Sequence, residues 1–236
     1  MSEALKKAVG EAAVNAYVKS GMKLGLGTGS TVTFSIDLIG AKLKRGELRD
    51  IVGVSTSERT TKQATSLGIP LSDLQQTPQL DVAVDGADEV VKAGESFFLI
   101  KGLGGALLRE KEVAKRSKQL IIVADDSKVV KKLGTKSPLP VEVEKSAWQA
   151  VAKALEGLGG TAKLRESSGQ PYVTDNGNHI VDVKWAEGID DPRGLGRTLD
   201  GLAGVKAHGL FLDLTHAVLI ASPKGVVTVG RADPLP

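Results

Sequence analysis

The sequence of 236 residues contains no cysteine. Disulfide bonds, zinc sites built from thiolates and cysteine nucleophiles are therefore excluded, and this absence agrees with a reducing cytoplasm. The sequence also lacks any run close to the roughly 18 uninterrupted apolar residues of a membrane-spanning helix. Residues 1–7 alternate apolar and charged side chains where a secretory signal would have an unbroken apolar stretch. We therefore expect a cytoplasmic protein with no membrane partner.

Aromatic residues make up only 3% of the chain. Neither sign of charge dominates, since the chain has 31 basic and 28 acidic residues. Proteins that bind nucleic acid usually concentrate positive charge and often stack bases on aromatic side chains. We therefore expect no nucleic acid partner. The mild net charge of +3 suits an enzyme that collects anionic substrates.

The first half of the chain alternates between segments typical of strands and segments typical of helices. Short runs of apolar and β-branched residues are followed by glycine turns and amphipathic stretches. The predicted strands are 23–26, 51–54, 80–84 and 120–124, and the predicted helices are one that Ser2 caps and others near 31–44, 57–67 and 104–117. This order is typical of a parallel α/β layout, so we predict a Rossmann-like parallel-sheet domain.

After Lys132 the order of predicted elements changes to β-α-β-β-α-β, which is typical of a ferredoxin-like α+β unit. The predicted strands are 139–143, 163–165, 180–183 and 205–210, and the helices are 146–158 and one that begins at Asp191-Pro192. The pair Asn176-Gly177 predicts a hairpin between 172–173 and the strand from Ile180.

The last two predicted strands, 217–221 and 226–229, are apolar and are expected to return to the first sheet. The smaller unit is therefore predicted to be an insertion. On this interpretation residues 1–132 and 208–236 form the Rossmann-like domain, and residues 133–207 form the ferredoxin-like domain.

Ligands of open parallel sheets bind beyond the carboxyl ends of the strands, where three loops of this chain have unusual residues. The first, Gly25–Thr31, combines glycines with the hydroxyls of Ser30 and Thr31 ahead of a predicted helix. Glycine lets backbone N–H groups approach an anion, and the helix presents its positive end there. A dinucleotide fingerprint is disfavoured because Ser30 stands at its sixth position. A phosphate site and a tight turn with a hydroxyl cap both stay open.

The second loop, Asp85-Gly86-Ala87-Asp88-Glu89, places three carboxylates directly after an apolar strand. Carboxylates at a strand end can bind sugar hydroxyls, hold a metal ion or act in acid–base steps. The spacing does not separate these roles from a solvated loop in which Asp88 caps a helix. Metal binding is the weaker functional alternative, because no histidine lies nearby and the calcium-loop ligand spacing is missing. We expect no metal site.

The third loop combines a cation, a glycine turn and an acid. Lys101 precedes Gly102-Leu103-Gly104-Gly105, and Glu110 lies within two turns of the start of the helix that follows. The Lys101 ammonium and the amides at the helix start can stabilise an oxyanion, and Glu110 can act as a base close to both. On local grounds alone, an ordinary i,i+4 ion pair on an exposed face is the favoured role of Glu110. Convergence of the three loops on one sheet edge weakens that interpretation.

These loops belong to a longer series of motifs. The series is Gly27-Thr28-Gly29-Ser30-Thr31, Asp85-Gly86-Ala87-Asp88-Glu89, Lys101-Gly102 through Arg109-Glu110-Lys111, Ala124-Asp125-Asp126-Ser127-Lys128, Leu139-Pro140-Val141-Glu142-Val143 and Thr174-Asp175-Asn176-Gly177-Asn178. In their order and spacing, essentially from end to end, they resemble the ribose-5-phosphate isomerase A family. The resemblance implies conversion of D-ribose 5-phosphate to D-ribulose 5-phosphate in the non-oxidative pentose phosphate pathway, without metal or organic cofactor. It also implies a homodimer or homotetramer.

The resemblance assigns roles to particular residues. The proton-accepting glutamate of the family corresponds to Glu110. The substrate-binding segments correspond to Thr28, Gly29, Ser30, Thr31, Asp85, Gly86, Ala87, Asp88, Lys101, Gly102, Leu103, Gly104 and Lys128. One departure is visible, because Leu103 interrupts a run of glycines that the family often has after the lysine. Leu103 would be strained if the backbone needed a positive φ there, and harmless if only backbone N–H groups touched substrate.

The residue types suit this chemistry independently. Isomerising an aldose moves a proton between C2 and C1 through an enediolate, and one carboxylate can remove and return that proton. We predict this role for Glu110, with a pKa raised by partial burial and opposed by a nearby Lys101. Lys101 is predicted to stabilise the enediolate oxygens, and Asp85 and Asp88 to hold hydroxyls, one of them assisting ring opening. The residues predicted to hold the phosphate are Ser30, Thr31 and Lys128.

Three other classes of protein share parts of this pattern. A phosphosugar-sensing regulator normally has a helix-turn-helix, and the segment before the first strand leaves room for one helix only. Related deaminases and lactonases use histidine, but a structural or surface role is favoured for His179, His208 and His216, which lie outside the three loops. A dinucleotide-dependent enzyme would need an acidic residue where Ser55-Thr56-Ser57 ends the second strand.

Overall fold

The chain forms a large sheet, two smaller sheets and a short hairpin. The computed structural model describes residues 2–235, so Met1 and Pro236, which we assigned to the larger domain, lie outside the described residues. The helices are α1 (Glu3–Tyr17), α2 (Val32–Lys44), α3 (Glu58–Ser66), α4 (Leu107–Lys115), α5 (Trp148–Gly157) and α6 (Pro192–Asp200). The strands are β1 (Lys23–Leu26), β2 (Val52–Ser55), β3 (Leu71–Ser72), β4 (Leu80–Gly86), β5 (Glu89–Ala93), β6 (Ser96–Ile100), β7 (Ser117–Asp125), β8 (Leu139–Val143), β9 (Thr161–Leu164), β10 (Glu166–Ser167), β11 (Gln170–Pro171), β12 (His179–Lys184), β13 (Val205–His208), β14 (Leu210–Leu212), β15 (Ala217–Ser222) and β16 (Gly225–Gly230).

The large sheet has seven strands in the order β16-β15-β7-β4-β1-β2-β3. All neighbours in it pair in parallel except β15 and β16, which are antiparallel. Because successive residues of a strand face opposite sides, Ile121 and Val123 pack under α1 and α2, while Leu120 and Ile122 pack on the side of α4. The predicted Rossmann-like parallel sheet is confirmed, and so is the return of the last two strands to it.

Serine side chains cap the first turns of two helices, α1 and α3. The Ser2 side chain accepts a hydrogen bond from the Leu5 N–H group at 3.3 Å and caps α1. In the same way Ser57 accepts from the Thr60 N–H group at 3.1 Å and caps α3 at the end of β2. Such caps satisfy backbone donors that have no partner inside the helix. Within residues 2–235, each helix is too short or too polar to cross a lipid bilayer.

A second sheet has four antiparallel strands in the order β13-β8-β12-β9. Helices α5 and α6 pack on it, and their apolar side chains share one core with the strands, including Val151, Leu199 and Val181. This is the strand order of a β-α-β-β-α-β unit, and it confirms the predicted ferredoxin-like fold.

The predicted hairpin around Asn176-Gly177 is wrong. The turn closes, since the Thr174 N–H group donates to the Asn178 carbonyl at 2.9 Å. The strand β12 that follows pairs with β8 and β9, whereas β11 before it pairs with β10. The side chain of Glu142 accounts for the turn instead, because one of its oxygens accepts hydrogen bonds from Thr174, Asn176 and Asn178.

A third sheet, β14-β6-β5, was not predicted. It takes its last strand from the segment 205–210, which we expected to be a single strand and which divides at Gly209 into β13 and β14. A Cβ atom on Gly209 would lie 2.3 Å from the Lys101 carbonyl oxygen. Only glycine therefore permits the chain to cross so close to Lys101.

Candidate active site

A cavity of about 320 Å³ opens beyond the carboxyl ends of β1, β4 and β7. This is the edge at which parallel α/β sheets bind ligands. It is lined by Thr28, Gly29, Ser30, Thr31, Arg59, Gly86, Ala87, Asp88, Lys101, Gly102, Gly104, Glu110, Val123, Ala124, Asp125 and Lys128. The three loops that sequence analysis selected therefore meet around one cavity.

Lys101 lies at the centre of a buried group of charges. Its ammonium is 3.0 Å from Asp85 Oδ2 and 3.3 Å from Glu110 Oε1, and it donates to the Gly86 carbonyl at 2.7 Å. Lys101 is only 2% exposed. Burial lowers the pKa of Lys101, but the Asp85 and Glu110 carboxylates outweigh burial and raise that pKa above its ordinary value. Lys101 is therefore a permanent cation at the cavity wall.

Glu110 lies in the first turn of α4 and is 4% exposed. Its Oε2 atom has no hydrogen-bond partner within residues 2–235. Burial, followed by repulsion from Asp85, raises the pKa of Glu110 to about 8, although Lys101 acts against this shift. A carboxylate with one free oxygen and a pKa near neutrality is suited to accept and return a proton.

Asp85 is buried behind Lys101 and the first glycine loop. Its Oδ1 accepts hydrogen bonds from the N–H groups of Thr28 at 3.2 Å and Gly86 at 2.8 Å, while Oδ2 contacts Lys101. A Cβ atom on Gly27 would lie 2.3 Å from Asp85 Oδ1, so glycine is required for this close approach. Asp85 is not part of the cavity lining. Its described contacts position Lys101 and the first glycine loop.

The backbone of the glycine turn after Lys101 shows whether Leu103 is strained. Positive φ angles occur at Gly102 (+103°) and Gly105 (+81°), and Leu103 is not among the residues with a positive φ. Its N–H group donates to Asp88 Oδ2 at 3.0 Å, and its side chain is 40% exposed and outside the cavity lining. Leu103 is therefore accommodated without backbone strain, because glycine occupies the two positions that need it.

Hydroxyl and cationic groups also line the cavity. Ser30, Thr31 and Lys128 are among them, and Ser30 and Thr31 directly precede α2. The Thr28 hydroxyl is taken up by its neighbours, since it donates to Ser57 Oγ at 2.7 Å and lies 2.7 Å from Thr56 Oγ1. Thr28 thus fixes the loop with its side chain. The start of α2 and the Lys128 cation favour an anion beside them.

Three residues with charged side chains near the cavity were not selected from the sequence. Lys6 of α1 donates to Ser30 Oγ at 2.9 Å, and Arg59 and Asp125 line the cavity. Arg59 lies in the first turn of α3, the helix that follows β2, and Asp125 is the last residue of β7. Their position at the carboxyl ends of strands was the signal that could have found them. Lys6 had no such signal, because it lies within an ordinary amphipathic helix.

The family model described as ribose 5-phosphate isomerase A (phosphoriboisomerase A) matches residues 52–225. The chain belongs to this family. Ribose-5-phosphate isomerase A of Synechococcus sp. (strain JA-3-3Ab) is 45% identical over 232 residues, which cover 98% of this chain and 99% of the relative. That of Deinococcus radiodurans is 46% identical over 231 residues, with coverage of 97% and 99%. The family predicted from the motifs is thereby confirmed.

Solved structures of ribose 5-phosphate isomerases agree with the fold of this chain. The enzyme from Plasmodium falciparum superimposes with a TM-score of 0.93 at 39% identity, over 97% of this chain and 99% of that one. The enzyme from Methanocaldococcus jannaschii gives 0.90 at 40% identity, over 98% and 100%. A D-ribose-5-phosphate isomerase in complex with phospho-erythronic acid gives 0.92 at 40% identity, also over 98% and 100%.

The histidines of this ribose-5-phosphate isomerase A family member lie away from the cavity. His208 Nε2 is 3.0 Å from Asp200 Oδ1, and burial together with Lys111 lowers the pKa of His208 to about 4. His216 Nδ1 accepts from the Leu120 N–H group at 3.1 Å, and His179 Nδ1 lies 2.8 Å from the Tyr172 carbonyl. None of the three lines the cavity. Within residues 2–235, no group of three or more histidine, aspartate and glutamate side chains is placed to hold a metal ion.

Proposed function

We propose that the protein interconverts D-ribose 5-phosphate and D-ribulose 5-phosphate through an enediolate, with Glu110 as the proton shuttle. The observation that supports this role most directly is the geometry of Glu110: one carboxylate oxygen contacts Lys101, and the other has no partner within residues 2–235. The same cavity is lined by Lys128 and by Ser30 and Thr31 at the start of α2, where a phosphate would bind.

The proton step uses the ionised form of Glu110. The carboxylate removes the hydrogen from C2 of the open-chain aldose, the electron pair of that bond forms the C1–C2 double bond, and negative charge develops on O1. Returning the same proton to C1, while the hydroxyl hydrogen moves from O2 to O1, gives the ketose. One residue suffices because C1 and C2 are adjacent. The fixed charge of Lys101 stabilises the enediolate without reorganising.

The two aspartates have different tasks in this proposal. Asp88 lines the cavity, and its Oδ2 is held by the Leu103 N–H group, so its other oxygen can bind a sugar hydroxyl and assist ring opening. Asp85 lies behind Lys101 and holds that ammonium in place. Substrate contacts are proposed for the backbone or side chains of Thr28, Gly29, Ser30, Thr31, Gly86, Ala87, Gly102 and Gly104. Phosphate contacts are assigned to Ser30, Thr31 and Lys128, and the remote binding energy positions the reacting carbons.

The wider setting follows from the resemblance to relatives. We propose a place in the non-oxidative pentose phosphate pathway, a cytoplasmic location, a pentose phosphate as the small-molecule partner, and neither nucleic acid nor membrane partners. A homodimer or homotetramer stays a prediction. The reaction is proposed to need neither metal nor organic cofactor, which a chelator in the assay tests.

The test is an isomerase assay on ribose 5-phosphate with chelator present, comparing wild type, Glu110→Gln and Glu112→Gln. Glu112 is the matched control, because it lies on the same helix and its side chain pairs with Arg116 at 3.5 Å on the helix surface. Loss of general base catalysis is worth roughly 10²–10⁴-fold, so kcat of Glu110→Gln should fall by about that factor, with binding of phospho-erythronic acid retained. Glu112→Gln should keep normal turnover. Near-normal turnover of Glu110→Gln would falsify the proton-shuttle role.

A further inference from the structure

Arg165 connects the four-stranded sheet to the glycine turn of the candidate site. It follows β9, and its Nη1 atom donates to the Gly102 carbonyl at 3.1 Å and to the Leu103 carbonyl at 3.0 Å. The same guanidinium donates to both oxygens of Asp182, from Nε at 2.8 Å and from Nη2 at 2.6 Å. A planar guanidinium held by a carboxylate at two points has a fixed direction. The position of the two carbonyls is therefore fixed as well.

Holding a carbonyl also orients the next amide. All peptide bonds of the turn are trans, and in a planar trans peptide the N–H group points opposite to the carbonyl of the preceding residue. The Gly102 carbonyl shares its plane with the Leu103 N–H group, which donates to Asp88 Oδ2. The Leu103 carbonyl shares its plane with the N–H group of Gly104, a residue of the cavity lining. Arg165 thus controls two amides on the enediolate side of the cavity.

Tyr172 contacts the same turn at a second point. Its ring centroid lies 5.8 Å from Arg165 Cζ, and a Cβ atom on Gly105 would lie 2.2 Å from the Tyr172 hydroxyl oxygen. Gly105 in turn donates its N–H group to the Gly102 carbonyl at 3.0 Å. The turn contains three glycines in four residues, so its backbone has many alternative conformations without such contacts.

We propose that Arg165 is a positioning residue of the isomerase site. It holds the Leu103 and Gly104 amides in the orientation that orders Asp88 and stabilises the enediolate, and it does so from a different sheet. The inference rests on the proposed function. The side chains of the Arg165–Asp182 pair are only 13% and 21% exposed, so the guanidinium is shielded from solvent and holds the two carbonyls firmly.

The experiment compares Arg165→Ala and Arg165→Lys with the matched control Arg193→Ala, which removes another arginine paired with an aspartate, Asp213, away from the cavity. The measurements are kcat and KM for ribose 5-phosphate, the Kd for phospho-erythronic acid, inhibition by inorganic phosphate, and the melting temperature. A misplaced catalytic group costs about 10²-fold, so kcat of Arg165→Ala should fall by about that factor. Binding of phospho-erythronic acid should weaken in parallel, while inhibition by phosphate should not change.

Arg165→Lys should recover part of kcat, because an ammonium can donate to the carbonyls but cannot bind Asp182 in the same two-point geometry. If the alanine variant does not fold, the lysine variant gives the same test with a smaller decrease. A lower melting temperature with unchanged kcat, or an equal loss in Arg193→Ala, would overturn the proposal. Wild type and Glu110→Gln are assayed alongside. An inactive wild type would count against the proposed function, whereas an active wild type with normal Arg165 variants would count against this inference alone.

Discussion

The Lys101 ammonium contacts only one oxygen of Glu110: Nζ lies 3.3 Å from Oε1, and Oε2 is without a hydrogen-bond partner within residues 2–235. A carboxylate paired at both oxygens would be a poor base, because its proton affinity would be lowered further. One free oxygen beside a fixed cation combines two properties that isomerisation needs. In the proposed mechanism the Glu110 carboxylate stays reactive as a base, and the Lys101 charge stabilises the enediolate.

The activity should depend on the ionisation of Glu110. Burial raises the pKa of Glu110 to about 8, and the deprotonated form is the base. We therefore expect kcat/KM to decrease tenfold per pH unit below that value and to level off above it. The measurement is a pH profile of kcat/KM with ribose 5-phosphate. A profile that stays flat from pH 6 to pH 9 would contradict the assignment.

Neutralising Asp85 should move this profile. The Asp85 carboxylate raises the pKa of Glu110 by repulsion, so Asp85→Asn should lower that pKa and shift the acidic limb to lower pH. Lys101→Met should shift the limb in the other direction, because the ammonium lowers the pKa of Glu110. Both variants lose activity, so the shift is measured on the residual rate. Shifts of the same sign in the two variants would argue against this electrostatic account.

Lys6 should contribute to substrate binding more than to turnover. Its ammonium donates to Ser30 Oγ at the end of the cavity assigned to phosphate. The ammonium adds positive charge beside Ser30, so Lys6→Ala should raise KM severalfold and leave kcat nearly unchanged. The control is Lys7→Ala, since Lys7 is exposed and lies 4.0 Å from Glu11. Equal KM values for the two variants would remove Lys6 from the site.

Replacing Gly105 by alanine should reduce activity beyond the cost of its backbone angle. The residue has a φ of +81°, and the new Cβ would collide with the Tyr172 hydroxyl. Gly159→Ala is the control, because Gly159 has a φ of +82° and nothing within 4 Å of the added atom. Both variants should lose about 1–2 kcal/mol of stability from the backbone, but only Gly105→Ala should lower kcat. The Tyr172 hydroxyl, Cζ and Cε1 atoms would lie 2.2, 2.7 and 2.9 Å from the added Cβ. Restoration of kcat by the additional change Tyr172→Ala would therefore show that this side chain causes the collision.

The stability of the protein should rise when Lys111 is replaced by methionine. The Lys111 side chain is buried, its ammonium lies 3.3 Å from His208 Nδ1, and burial lowers the pKa of Lys111 from 10.5 to about 7. Because the folded state resists protonation of this amine, the penalty is complete below about pH 7 and disappears as the pH approaches 10.5.

Thermal unfolding of Lys111→Met should therefore show a gain in melting temperature on the order of 5 °C at pH 6 and a smaller gain at pH 9. Lys153→Met, an exposed position on α5 away from Lys111, is the control and should change little. A gain that does not depend on pH would show that the methionine stabilises by packing rather than by removing a buried charge.

Motifs with local chemistry were predictable from the sequence. The glycine loop at Thr28–Thr31, the acidic loop at Asp85–Asp88 and Glu110 stand directly after strands or at a helix start, where backbone geometry alone brings them to one edge. The three-stranded sheet was not predictable in this way. Its strand β5 begins with Glu89, which we counted among the loop carboxylates, although it is fully buried and accepts hydrogen bonds from the N–H groups of Gly134, Lys136 and Ser137.

Contacts between distant segments explain the other omissions. Arg165 contacts the glycine turn after Lys101, and Lys6 contacts Ser30, across long stretches of sequence. No local pattern of spacing or periodicity reports such contacts. The division into a domain of residues 1–132 and 208–236 and a domain of residues 133–207 stays a prediction. The sheet β14-β6-β5 draws strands from both sides of the predicted insertion, so a boundary near residue 208 falls beside Gly209, where the chain passes from one sheet to another.

The crossing at Gly209 makes the geometry of the candidate active site depend on the completion of folding. The Lys101 N–H group donates to the Gly209 carbonyl at 2.9 Å, and the Gly209 N–H group donates to the Pro140 carbonyl at 2.8 Å. The segments around Lys101, Pro140 and Gly209 must therefore be in contact before the backbone of Lys101 is fixed. Forming contacts between segments so far apart in the sequence is slow. During refolding, isomerase activity should recover later than the circular dichroism signal of the helices. Activity would then measure the last step of folding.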